Sequence, residues 1–473
     1  MHLKQTHCKK NKWGILFVTV MFPFMACLDT NIVNVALPVM AVKLHVTSSM
    51  IAWVASAYLI VLTASILLFG KLGDLKGHTK IFQYGMLAFT IGSFLCSLSH
   101  TFAFLIFSRM IQALGAAAVM ANNQGTISRT FPKNERGRAL GINGAFVALG
   151  TLAGPSLGGF VISLAGWQYM FWINVPIGIL VFIAGLWFFP KEEETSPGKL
   201  DLLGSLLFAF SMVPFFLAIQ QGQVIGFSHP FILVCFAIAV ISFFLFILVQ
   251  KRSAQPLLEL DIFKNKWFSI SIFCAFTSYM AISCYNIVQP FYLQDVLRMT
   301  PAIAGLYMTI YPLLIVLVSP TSGYMSDKIG SEGLTLLGLV LTGAGLFLMS
   351  TLTAYPSLIV MAVFIIVMAI GNGLFQSPNN SLVMSSVPQD QLGVGGSVNA
   401  LARTIGQTAG IAVSTSLLYG GMSMKIGRRV TDYLPGSNDA FLFGMHISYL
   451  AAAFVCLLGA IITAVRLYSK RVK

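Results

Sequence analysis

Fourteen continuous apolar runs, each close to the length that crosses a hydrocarbon core, recur from one end of the chain to the other. They cover approximately 13–41, 50–69, 80–98, 102–123, 138–163, 168–189, 202–220, 231–249, 268–295, 301–325, 334–353, 356–378, 393–419 and 440–467. A core about 30 Å thick needs about 20 helical residues. Inside hydrocarbon every backbone N–H and C=O must be satisfied within the protein, which leaves only helices or closed β-barrels. Barrel strands read as alternating segments of about ten residues. These runs are continuously apolar, so the expected fold is an all-α integral membrane protein. Only 9% of the residues are charged and the mean hydropathy is +0.83, too few charges to cover a soluble particle of 473 residues. The first run carries a polar cluster and continues past signal-peptide length, so the first helix is expected to stay in the mature chain.

The formal charge of +14 would suit a nucleic-acid partner if it were gathered on one soluble face, but it collects in alternate loops. Lys4, Lys9, Lys10 and Lys12 precede the first run; Lys71, Lys76 and Lys80 follow the second; Arg129, Lys133, Arg136 and Arg138 follow the fourth. Lys251, Arg252, Lys264 and Lys266 follow the eighth, and Arg466, Lys470, Arg471 and Lys473 end the chain. With fourteen spans these segments share one side, which the positive-inside rule makes the cytoplasm, and no nucleic acid is expected to bind. Loop 420–439, with Lys425, Arg428 and Arg429, is the exception. The seven cysteines are scattered without disulfide or metal-ligand spacing. No nucleophile elbow, P-loop or sizeable soluble segment is present either, so neither enzyme nor ATP-driven pump is expected, and no cofactor or metal.

The chain repeats itself. GKLGDLKG, with Gly70, Asp74 and Gly77, returns as GYMSDKIG, with Gly323, Asp327 and Gly330, 253 positions on. ANNQGTISRTFPKNERG at 121–137 finds a similar partner in SPNNSLVMSSVPQDQLG at 377–393. The expected organisation is a six-helix bundle over 1–190, an inserted helix pair with its linkers over 191–266, and a second six-helix bundle over 267–473. Parallel repeats place a substrate site near the midplane, at the interface between halves.

Ionisable groups are costly at that depth and therefore informative. Asp29, in LDTNIVNVALP, lies well inside the first run; Arg109, in the fourth, is its candidate counter-ion, and Gln112 is one turn further on the same face. A desolvated carboxylate can exchange a proton near neutral pH, and a facing cation opposes this. The three are the expected proton-coupling group, against the alternative of a static ion pair. In the ninth run Ser278, Tyr285, Gln289 and Tyr292 form a polar-aromatic stripe, suited to line a wet cavity for varied amphipathic ligands or to glue helices together. Asn31, Asn34, Asn286, Tyr311, Asn372, Gln376, Asn379 and Asn380 are further cavity candidates, with Asn31 and Asn34 on a face of the first helix turned away from Asp29.

In the fifth run GTLAGPSLGGF places Gly150, Gly154, Pro155, Gly158 and Gly159 so that a neighbouring helix can approach to backbone distance beside a proline break. This pattern resembles the motif of proton-coupled antiporters of the major facilitator superfamily. With LDTNIVNVALP, GKLGDLKG, FSRMIQALGAAA and WQYMFWINVPIG, nearly the whole chain resembles the 14-spanner drug:proton antiporter branch. The resemblance implies two six-helix bundles plus two inserted helices, rocker-switch alternation, and export of lipophilic drugs from bacteria across the plasma membrane. It implies proton coupling at Asp29 and Arg109 and a cytoplasmic gate at Gly70, Asp74 and Gly77, with Asp327 in the repeat. Leu75 and His78 stand where the family usually has basic residues, and Ala113 where it has glycine. A second-half membrane carboxylate, found in relatives that handle dications, is absent, which points to monocationic, neutral or zwitterionic cargo. Expected partners are protons, small lipophilic substrates and membrane lipid, with the chain a monomer. An exporter of an endogenous lipid, fatty acid or siderophore-like metabolite would use a similar cavity, and a solute importer would share the fold.

Overall fold

Short caps and glycines divide the runs into helices. Thr47, Thr101, Asp201, Asn265 and Thr300 each cap a helix start by accepting a backbone N–H, and Pro301 follows at a first-turn position where its missing N–H is not needed. Gly77 and Gly330, the closing glycines of the repeated motif, end their helices at φ 100° and 89°, a region that side chains resist. The computed structural model describes residues 4–190, 200–253, 256–387 and 392–471.

The first half comprises α1 (Lys4–Lys43), the short α2 (Ser48–Ile51), α3 (Trp53–Lys76), α4 (His78–Ser97), α5 (Phe102–Thr130), α6 (Lys133–Leu164), α7 (Gln168–Trp172) and α8 (Asn174–Phe188). Then come α9 (Leu202–Ile225) and α10 (Pro230–Arg252), followed by α11 (Lys266–Phe291), α12 (Pro301–Ile329), α13 (Ser331–Met349), α14 (Leu358–Ser385), α15 (Leu392–Ile426) and α16 (Asn438–Arg471). No strand occurs among the described residues. Two sequence boundaries shift: the first run is part of a helix that starts at Lys4, and the sixth is broken at Ile173 between α7 and α8. The ninth extends through a π-turn, Tyr292–Val296.

Twelve helices among the described residues are long and apolar enough to cross a membrane. By this measure the expected fourteen are not all reached. The two other runs do fold as helices, α4 and α15, but their mean hydropathy is diluted by charged residues, Ser and Thr, and by glycines that serve packing. In α4, Gly85 and Gly92 lie against the backbone of α5. A Cβ on Gly85 would meet the Gly115 carbonyl at 2.8 Å, and one on Gly92 would meet Gln112 Cα at 2.6 Å. Gly338 and Gly345, each 253 positions on, press α13 onto α14 in the same way.

The pairings repeat as well. In the first half α1 packs on α6, α3 on α5, and α4 on α5 and α8; in the second, α11 packs on α15, α12 on α14, and α13 on α14 and α16. The halves meet along two equivalent seams, α6 with α12 and α3 with α15, and α1 touches α11 between them. The helices α9 and α10 pack on each other, and α9 lies over α3 and α15.

Candidate functional site

Asp29, Arg109 and Gln112 come together in the interior of the first half, each 2% exposed or less. Because Gly92 has no side chain, α5 sits close enough to α4 for Gln112 to reach across. Arg109 Nη1 donates to Asp29 Oδ2 and to Gln112 Oε1, both at 2.6 Å, and Arg109 Nε donates to the Val54 carbonyl at 3.0 Å. Gln112 Nε2 donates to Asp29 Oδ1 at 3.0 Å and to Ser93 Oγ at 2.8 Å. The guanidinium carbon lies 4.3 Å from the centroid of the Tyr58 ring. Sequence reasoning missed one partner, Asn174, whose Nδ2 donates to Asp29 Oδ1 at 2.8 Å. It opens α8 after the break at Ile173, inside the motif WQYMFWINVPIG.

A buried ion pair survives desolvation only when its remaining hydrogen-bonding capacity is filled, and here both Asp29 oxygens and the Nε and Nη1 of Arg109 are bonded. Arg109 also forms one wall of a cavity of about 30 Å³ between the halves, lined by Thr30, Asn34, Tyr58, Asn286 and Gln407 among others. That volume holds about two waters and is far below the roughly 300 Å³ of a small-molecule site. A larger open depression, about 580 Å³, lies at surface loops beside Leu297, Tyr355 and Tyr433, away from the ion pair.

Of the twelve residues expected at a cavity, Asn34 and Asn286 line it. Most others tie helices of the second half together. Asn372 joins Tyr311, at 3.0 Å, to Ser278, at 2.9 Å. Gln289 accepts from Tyr449 at 2.9 Å, Tyr292 donates to the Thr353 carbonyl at 2.7 Å, and Asn379 donates to the Ser271 carbonyl at 3.2 Å. Tyr285 is buried against Tyr311, ring centroids 5.7 Å apart, and its hydroxyl has no partner. Asn31 donates to the Cys27 carbonyl at 2.7 Å, Asn380 is exposed and accepts from Asn399 at 2.9 Å, and Gln376 is half-buried.

The glycine-proline motif of α6 packs on both halves. Gly150, Gly154 and Gly158 face Phe24, Asn31 and Ile32 of α1; a Cβ on Gly154 would lie 2.5 Å from that of Asn31. Gly159 faces the carbonyl of Pro301 on α12, and Gly305 of α12 faces the carbonyl of Pro155. More bonds join the halves at this same end, where α1 finishes. Asp432 accepts from the Ser48 backbone N–H at 3.0 Å and from the Ser48 hydroxyl, Ser49 donates to the Thr431 carbonyl at 3.1 Å, and Gln294 donates to the Val35 carbonyl at 2.8 Å.

At the opposite end, Asp74 lies 3.2 Å from His78 Nε2 and 3.9 Å from Arg129, while His78 Nδ1 meets Asn122 Oδ1 at 2.7 Å. Gly73 leaves room for that Asn122 oxygen, and Gly70 has only Ala121 near it. His78, where the motif departs from its usual basic residue, thus binds the α3–α4 turn to α5. The side chain of Asp327 lies outside the described residues.

A family model described as Major Facilitator Superfamily matches residues 20–262 and 271–473. The chain is 35% identical over 455 residues to the riboflavin transporter RibZ of Clostridioides difficile, covering 96% of this chain and 97% of the relative. It is 31% identical to the multidrug resistance protein Stp of Mycobacterium tuberculosis, over 86% of this chain and 76% of the relative. It is 28% identical to the tetracenomycin C resistance and export protein of Streptomyces glaucescens, over 92% and 79%.

Proposed function

As the chain belongs to the Major Facilitator Superfamily, we propose that it is a proton-coupled exporter of small lipophilic solutes, working by rocker-switch alternation of two six-helix bundles. It is a multi-pass membrane transporter, not an enzyme. In this reading residues 1–190 and 267–473 are the moving bundles, 191–266 carries the inserted pair, and α4 and α15 bring the spans to fourteen. Both termini face the cytoplasm of a bacterium and the protein sits in its plasma membrane; the relatives named multidrug resistance and export proteins are bacterial.

One observation carries the coupling: Asp29 and Arg109 form a buried, hydrogen-bonded ion pair, and the same Arg109 borders the cavity between the halves. The bonds near the end of α1 hold the outer side closed. Protonation of Asp29 from outside, when that side opens, loosens Arg109 toward the cavity and weakens cargo binding or favours its release. Return of the proton to the cytoplasm restores the pair. The test is pH-driven export in proteoliposomes. Asp29→Asn is expected to abolish gradient-driven movement while inserting and folding normally; transport at the wild-type rate by that variant refutes the coupling.

A second reading concerns cargo alone. The 35% identity to a protein named riboflavin transporter extends over 96% of the chain, which favours a planar heteroaromatic metabolite as the physiological solute. Riboflavin that competes with an exported dye supports it, and indifference to riboflavin at saturating concentration removes it.

A further inference from the structure

Arg403 is a half-buried cation close to the central cavity, and nothing in the coupling cluster uses it. It lies on α15 on the face that also carries Gln407 and Ile411, one and two turns on, both of which line the central cavity. Its guanidinium carbon is 5.8 Å from the centroid of the Tyr279 ring on α11. Arg403 therefore stands one turn before the cavity-lining Gln407, on the helix that packs on α11 of its own half and α3 of the other. Close packing fixes it there: a Cβ on Gly406 would meet the Phe276 carbonyl of α11 at 2.7 Å.

The contrast with Arg109 is informative. Arg109 has a carboxylate, an amide oxygen and a carbonyl. Arg403 has no carboxylate within ion-pair distance among the described residues, and its buried Nε has no hydrogen-bond acceptor. Asp29 and Arg109 cancel, so Arg403 is left as the positive charge next to the cavity without a carboxylate of its own among the described residues. A cation inside a membrane helix that has an aromatic ring beside it but no carboxylate is costly and points to an anionic partner that comes and goes.

We propose that Arg403, with the Tyr279 ring beside it and Gln407 and Asn286 ahead, is the cargo-selecting end of the transport site. It favours planar aromatic solutes that carry an anionic or strongly electron-rich oxygen, such as a carboxylate, phenolate or imide carbonyl, over lipophilic cations. The ring of such a solute stacks on Tyr279 while its oxygens take the planar donor fork of the guanidinium. This rests on the transport reading above and departs from the expectation of monocationic, neutral or zwitterionic cargo, which followed from a missing carboxylate and not from this arginine.

The test measures equilibrium binding of two xanthene dyes, anionic fluorescein and cationic rhodamine 123, to the full chain in nanodiscs without any ion gradient. The wild type is expected to bind fluorescein at least tenfold more tightly. Arg403→Gln should lose roughly tenfold or more for fluorescein and nothing for rhodamine 123, since a charge-assisted bond disappears for one dye only. Arg403→Lys should recover part, keeping the charge without the fork. Equal or tighter rhodamine 123 binding by the wild type, or equal losses for both dyes in Arg403→Gln, overturns the proposal. If Arg403→Gln does not fold, the wild-type dye preference and Arg403→Lys decide alone. Asp29→Asn, tested in parallel for pH-driven transport, separates the two readings: normal transport by it with dye selectivity intact removes the coupling and leaves the cargo assignment standing.

Discussion

Asp432→Asn should open the outer closure by a measurable amount. The carboxylate accepts from the backbone N–H and the hydroxyl of Ser48, so it ties the α15–α16 connection to the first half. A hydrogen bond to an ionised acceptor contributes about 1.5–3 kcal/mol net and a neutral one about 0.5–1.5 kcal/mol. Replacing the charge while keeping an amide oxygen therefore costs about 1–3 kcal/mol across the two bonds. Asp432 is only half-buried, and solvent screening moves the value toward the low end, about 1.4 kcal/mol, a factor of about ten in the equilibrium between closed and open. The assay is the rate at which a membrane-impermeant thiol reagent, added outside, modifies Asn286→Cys in a background without the native cysteines. Asp432→Asn should raise that rate about tenfold. Ser48→Ala should raise it too, and the double variant should show little more than either alone, because the two changes break the same contact. An unchanged or slower rate in Asp432→Asn, or full additivity, refutes the latch.

Three further outcomes follow from the packing and the buried polar groups. Gly154→Val places a branched side chain where even a Cβ lies 2.5 Å from Asn31; overpacking of this kind costs about 1–3 kcal/mol, read as a lower midpoint of thermal unfolding, with Gly154→Ala milder. Tyr285→Phe removes an unpartnered buried hydroxyl and should leave stability equal or higher, whereas Tyr449→Phe strands the Gln289 oxygen and should cost about 1–3 kcal/mol; equal losses in both would contradict the assigned bonding. Asn174→Leu deletes one of the donors to Asp29 and should slow proton-driven export at least tenfold while equilibrium dye binding stays near wild type; parallel losses in both would make Asn174 a packing residue only.

The sequence made the class of fold plain because spanning length and apolarity are local properties, and each of the fourteen runs is mostly helical. Its repeat was legible too, through Asp74 and Asp327, and the glycine pairs of α4 and α13 keep the same 253-residue spacing. Asp29, Arg109 and Gln112 could be picked out because charge inside an apolar run is expensive. Asn174 could not, since an uncharged amide beside a helix break has many uses and its partner is 145 positions away. The stripe from Ser278 to Tyr292 shows the limit of periodicity, which gives a face but not what the face meets: Ser278 and Gln289 turn into the second half, and Asn286 turns to the cavity. Arg403 carried a signal that went unread, a cation inside the apolar run 393–419.

The helix α9 covers the α3–α15 seam, bonded there through Ser416 to the Ile219 carbonyl and through Arg429 to the Val224 carbonyl. No described helix covers the α6–α12 seam, where Leu157, Phe160, Leu306 and Leu313 are exposed. The two flanks are thus unequal toward the bilayer. A solute already dissolved among the acyl chains meets a shuttered flank on one side and bare protein on the other, so lateral entry, where it occurs, has one approach. A photoreactive lipophilic solute should label α6 and α12 well ahead of α3 and α15, and even labelling of the four would show that the shutter does not hold.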